Sequence, residues 1–150
     1  ADQARQAEPL ASALRRGGLH VEALGDPEFR AAEAEKMGFN CVVGLPLAVH
    51  GVSLADYLDQ RADEAHALFA ESTTVCARAL GAGAASGWWE EFRRAVAPIG
   101  WVRAASAKAL EFRNRAVIRL AHDLGIDVPV TARLLAAAGY RASPGSFPGS

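Results

Sequence analysis

The chain has 150 residues, of which 51% are hydrophobic and 22% charged, and a formal net charge of −1. That length suits one domain with a proper core, and the balanced charge gives no basis for binding nucleic acid or an anionic membrane surface. No apolar run approaches a membrane span and no signal peptide is visible.

Hydrophobic periodicity predicts an all-α bundle of about five to seven helices. Residues 2–16 read as an amphipathic helix closed by Gly17-Gly18, and 19–24 as a short extended link. Asp26-Pro27 marks the next start, with the acid at the N-cap and Pro at the first helical position. This helix carries Lys36 and Asn40 and is expected to reach about His50, disturbed near Gly44 and Pro46. Gly51-Val52 breaks it. Ser53-x-x-Asp56 then resembles a capping box for a long helix reaching about Leu80, with Leu54, Tyr57, Leu58, Ala65, Leu68 and Phe69 at helical spacing. Gly81 to Gly87 reads as a loop, and Trp88, Trp89, Phe92 and Val96 open a helix halted around Pro98-Ile99-Gly100. A second long helix is predicted over 103–124, beside the first and capped by Gly125, and a short one over 130–138. Residues 1–139 thus form a single helical domain, and the Pro/Gly/Ser-rich 140–150 a tail.

Chemistry concentrates around Glu35-Lys36-Met37-Gly38-Phe39-Asn40. Residues four apart share a helix face, so Lys36 and Asn40 could together hold a small carbonyl or carboxylate ligand. A lysine that snorkels and an amide that packs locally would leave the same pattern. His50 follows that helix and could line the same cleft. The four histidines show no metal-ligand spacing with Cys or carboxylates. Cys41 and Cys76 fall in apolar helical context, which reads as buried reduced thiols in a cytoplasmic protein. Gly81-Ala82-Gly83-Ala84-Ala85-Ser86-Gly87 superficially matches a dinucleotide loop, but a long predicted helix precedes it where a buried strand is required. No cofactor site is therefore expected in this chain. Trp88, Trp89 and Trp101 read as a core and interface cluster.

Three segments in order carry a family resemblance. Glu8-Pro9-Leu10 through Arg16-Gly17-Gly18, then His20-Val21-Glu22, look like the lead-in to the C-terminal domain of ketopantoate reductases. Lys36-x-x-x-Asn40, Pro46-Leu47 and Gly51-Val52-Ser53-Leu54 resemble that domain's start. Ala116 to Leu124, followed by Gly125-Ile126-Asp127-Val128-Pro129, resembles its last long helix and exit. The resemblance spans about residues 8–138 and implies a helical, dimer-forming, substrate-binding domain. A Rossmann domain supplied elsewhere would bring NADP. Lys36 would be the catalytic general acid toward a 2-oxo acid, with Asn40 and Asn114 orienting the substrate. The chain departs from the family in places. Ala34 stands where the family has Trp, and Gly44-Leu45 occupy the region of a second Asn. The catalytic Glu falls at Ala109, and Glu111 lies about 200° further round the helix.

Two functions follow. One is the substrate-binding and dimerisation half of a ketopantoate-reductase-like enzyme, without redox activity of its own. The other is a repurposed domain that catalyses a non-redox step, such as isomerisation or cyclisation, or only binds a ligand or partner.

Overall fold

The computed structural model describes residues 3–83, 87–104 and 108–140, and of 3–4 and 108–112 the backbone alone. These residues form eight α-helices: α1 Gln3–Arg16, α2 Asp26–Val42, α3 Leu45–His50, α4 Leu54–Gln60, α5 Ala62–Leu80, α6 Trp88–Val96, α7 Lys108–Leu124 and α8 Pro129–Ala137. A 3-10 turn covers Ala97–Ile99. Among the described residues there is no strand, only an isolated bridge between Ser53 and Arg103. The fold is all-α.

Three predicted elements are shorter than their periodicity suggested. The helix expected to run to His50 ends at Val42, and Gly44, at φ −130° and ψ −92°, separates it from α3. Pro46 lies in the first turn of α3, where a missing N–H breaks no helical bond. The helix expected over 53–80 turns a corner at Arg61, at φ −136° and ψ 41°. No Gly or Pro marks that corner. Arg61 N still donates to the Tyr57 carbonyl at 2.9 Å, closing α4, and the Arg61 carbonyl accepts the first bond of α5 from Ala65 N at 3.0 Å, so one residue serves both helix ends. The helix expected over 103–124 starts only at Lys108, because the preceding segment serves α4. The Gly100 and Val102 carbonyls accept hydrogen bonds from Ala55 N and Leu54 N at 2.8 and 2.9 Å, amides that a helix start leaves without an internal partner. Arg103 adds a bond from Nη1 to the Gly51 carbonyl at 3.1 Å.

Local punctuation elsewhere follows the sequence. Gly51 and Gly81 take left-handed conformations that close α3 and α5. Ser53 Oγ accepts from Asp56 N at 3.2 Å and donates to its carboxylate at 2.6 Å, satisfying one free amide of α4. Asp26 is the first residue of α2 rather than its cap, which is Gly25.

The centre of the bundle is α5, which packs against α2, α4, α6, α7 and α8. Its buried residues, among them Ala65, Leu68, Phe69, Ser72, Val75 and Cys76, cover more than one face, as a helix surrounded by others requires. The α2–α5 crossing is close because Gly38 has no side chain. A Cβ there would meet Thr73 Cγ2 at 2.5 Å and the Phe69 ring at 3.0 Å. At the same level of α5, Glu71 fastens α8. Its carboxylate accepts from Val130 N, Thr131 N and Thr131 Oγ1, each at 2.8 Å. Glu71 thereby caps α8, whose preceding residue Val128 offers no side-chain cap. By contrast, among the described residues α1 buries only Ala11 and has no extensive contact with another helix. Tyr140 packs on the core and donates its N–H to the Leu135 carbonyl at 2.9 Å. The rest of the expected tail lies outside the described residues.

Candidate functional site

One cleft of about 220 Å³ opens between α2, α5 and α6, lined by Ala32, Glu35, Lys36, Phe39, Phe69, Phe92 and Ala95. Its floor is aromatic. Phe92 stands edge-on to Phe39 with centroids 5.8 Å apart, and lies 5.0 Å from Phe69 and 5.3 Å from Trp89. His66 extends the cluster through Trp89 at 5.0 Å. Positions 32, 35, 36 and 39 fall on one side of α2 at about 100° per residue, away from the stripe of Ala34, Gly38, Cys41 and Val42 buried against the bundle.

The mouth of the cleft carries charge. Lys36 Nζ lies 4.1 Å from the centroid of the Phe39 ring, a cation–π contact, and forms no ion pair within 4.0 Å among the described residues. The Glu35 carboxyl is partly buried, and its pKa is raised, chiefly by burial and further by the negative charge of Glu91. Glu91 lies one turn before Ala95 on α6 and so shares the cleft-facing side of that helix. Neither Glu35 nor Glu91 has a salt-bridge partner among the described residues.

The four residues singled out in the sequence are dispersed. Lys36 lines the cleft; Asn40, His50 and Asn114 do not. Asn40, half-buried, is one turn on from Lys36 and shares its outer face, as the spacing required. Asn114 is fully buried on α7, and its side-chain Nδ2 and Oδ1 make no hydrogen bond. An unpaired buried amide costs about 1–3 kcal/mol. The side chains at Ala109 and Glu111 lie outside the described residues.

His50 belongs to a second constellation. Its Nε2 is 2.8 Å from Glu64 Oε1, and Arg133 Nη2 is 2.7 Å from Glu64 Oε2. A carboxylate only accepts, so the Nε2 position carries the proton. The Tyr57 ring stacks on His50 at 5.8 Å. The buried Tyr57 hydroxyl sits beside Glu64 without meeting hydrogen-bond geometry. Its pKa is pushed well up, first by burial and then by the Glu64 charge. Burial alone would raise the pKa of Glu64; hydrogen bonds from Arg133 and His50 outweigh it and leave that pKa lowered. Glu64, Tyr57 and Arg133 were not expected from the sequence as partners of His50. The His50–Glu64 and Glu64–Arg133 separations, 14 and 69 residues, match no short-range pairing rule.

Cys41 and Cys76 are free and buried, and burial pushes each thiol up to about 11, so both stay protonated at neutral pH. Of the three tryptophans, Trp88 is buried, Trp89 lies in the cleft's aromatic cluster and Trp101 is 77% exposed, so they do not act as one cluster. No group of three or more His, Cys, Asp and Glu among the described residues could hold a metal ion. No described helix is long and apolar enough to cross a membrane. The Gly-rich segment that starts at Gly81 follows helix α5 rather than a strand, which does not fit a dinucleotide cradle, and its residues 84–86 lie outside the described residues. No protein-family model, curated protein or solved structure matches this chain.

Proposed function

We propose that the chain is a helical small-molecule-binding domain that takes a carbonyl or carboxylate compound at the Lys36 cleft and has no redox activity of its own. One observation carries this reading: an unpaired ammonium held at the mouth of an aromatic-floored cleft. Lys36 would donate to the ligand oxygen while the ligand's apolar part lies on Phe39, Phe69 and Phe92, the division of labour usual in ligand pockets. This agrees with the role that the resemblance to the ketopantoate reductase C-terminal domain gives to Lys36. Neither Asn40 nor Asn114 lines the cleft, so the substrate-orienting role that the resemblance gives them is not part of this proposal.

The test is titration calorimetry with a panel of small 2-oxo and carboxylic acids. Binding by the wild type and its loss in Lys36→Ala support the proposal; equal binding by both proteins removes Lys36 from it.

The repurposed-domain alternative draws on His50, whose imidazole is oriented by Glu64 in the manner of a general base. It ranks second because His50 does not line the cleft. Self-association as a homodimer belongs to the same proposal, supported by the exposed Leu10, Leu19, Phe29 and Trp101. Sedimentation giving only monomer at high concentration would remove it.

A further inference from the structure

The charges at the cleft are of both signs, and none has an ion-pair partner among the described residues. Glu35 and Lys36 are consecutive on α2 and both line the cleft. Glu91 does not line the cleft; it is exposed on α6 one turn before the lining residue Ala95, and its negative charge helps to raise the Glu35 pKa. A carboxylate ligand alone would satisfy Lys36 and add a third negative charge to a mouth already holding two. A ligand carrying an ammonium on the carbon next to its carboxylate would meet Lys36 and Glu35 and be attracted by Glu91. The cleft of about 220 Å³ lies below the range usual for drug-sized ligands. Its size and its floor of three Phe rings call for a compact apolar side chain.

We propose that the Lys36 cleft binds a small apolar α-amino acid. Its carboxylate is held by Lys36, its ammonium by Glu35 with the charge of Glu91 nearby, and its side chain by Phe39, Phe69 and Phe92. This rests on the reading of the cleft as a small-molecule site and narrows the ligand from any carboxylate to a zwitterion.

The test compares three ligands that share one side chain: L-phenylalanine, 3-phenylpropionate and phenethylamine. L-leucine, 4-methylpentanoate and 3-methylbutylamine repeat it with an aliphatic side chain. Calorimetry on the full chain should show at least one amino acid binding about tenfold more tightly than either of its single-charge analogues. Lys36→Ala should bring the amino acid down to the level of the amine. Glu35→Gln combined with Glu91→Gln should bring it down to the level of the acid. Circular dichroism of both variants checks that they fold. If the acids bind as well as the amino acids, the zwitterion inference fails and the carboxylate site stands. If the amines bind most tightly, both fail. If none of the six ligands binds at about 10 mM, the cleft is not a small-molecule site of either kind.

Discussion

The two charged constellations differ in how their charges are met. Around Glu64, every formal charge has a partner within the chain: His50 on one oxygen and Arg133 on the other, with Tyr57 packed behind. At the cleft, Lys36, Glu35 and Glu91 have none among the described residues. The first joins α3, α5 and α8 and leaves the Glu64 side chain only 10% exposed. The second sits over an open aromatic floor. Charges satisfied internally hold helices together, whereas unpaired charges of mixed sign beside a cavity are free to meet a ligand. Perturbing the first should therefore change stability, and perturbing the second should change binding.

The largest effect is expected from Glu64→Ala. It leaves His50 and Arg133 unpaired and exposes the Tyr57 hydroxyl to an empty site. Removing one partner of a buried ion pair costs about 3–5 kcal/mol. Arg133 is 57% exposed and can recover solvent, so the expected loss is about 2–3 kcal/mol. Urea denaturation measures it, and a loss below about 0.5 kcal/mol would mean that the clasp does not hold the helices. Ligand binding at the cleft should persist.

Gly38→Ala comes next and strikes the α2–α5 crossing and the cleft floor at once, leaving the Glu64 clasp untouched. Its Cβ would sit 2.5 Å from Thr73 Cγ2 and press on Phe69, which is also the cleft floor. Overpacking costs about 1–3 kcal/mol, partly offset by about 1 kcal/mol from the better helix propensity of Ala. A net loss of up to about 2 kcal/mol is expected, together with altered ligand affinity. An unchanged melting curve would show that the α2–α5 crossing yields easily.

The pH dependence separates the two regions by sign. The lowered pKa of Glu64 contributes stability above the ordinary glutamate value of 4.5, and that contribution is lost as pH falls through the lowered pKa. Glu35 has a raised pKa, so the folded state binds more protons than the unfolded one between 4.5 and the raised value. Stability therefore falls as pH rises through that window. Glu35→Gln should be more stable than wild type at neutral pH and lose the advantage below about pH 4.5. Glu64→Gln should be less stable at neutral pH, with the deficit shrinking in acid. Urea midpoints across pH check both; the same sign for the two variants would contradict the assignment.

What the sequence made legible follows from the range of each interaction. Gly51, Pro27, Gly81 and the Ser53–Asp56 pair act within four residues, and their punctuation appears where periodicity and capping rules put it. The all-α class follows from the same local signals. The corner at Arg61 has no Gly or Pro, and the pairing of Gly100 and Val102 with α4 spans more than 40 residues, so neither leaves a local mark. The Glu71 cap on α8 is equally remote, 59 and 60 residues away. At the site, the four-residue rule rightly put Lys36 and Asn40 on one face. It could not tell that the cleft lies toward Glu35 and Phe39 rather than toward Asn40, because Phe69 and Phe92 arrive from other helices. A more direct signal was present in the adjacent Glu35-Lys36, opposite charges preceding an aromatic on the same helix side.

The smallest stability effect is expected from Lys36→Ala, and it bears most directly on the comparison. The ammonium makes no ion pair, and its contact with Phe39 is exposed, worth about 0.5–1 kcal/mol. Alanine recovers part of that through helix propensity, so the net change should stay within about 0.5 kcal/mol. A ligand carboxylate, by contrast, would lose a charge-assisted hydrogen bond worth about 1.5–3 kcal/mol, a drop of roughly 10- to 100-fold in affinity. Glu64→Ala should show the reverse pattern, with large loss of stability and retained binding at the cleft. If Lys36→Ala instead lowers stability by about 2 kcal/mol and leaves affinity unchanged, Lys36 is a packing element of the α2–α6 seam. The distinction between paired charges that hold the fold and unpaired ones that await a ligand would then not apply to this protein.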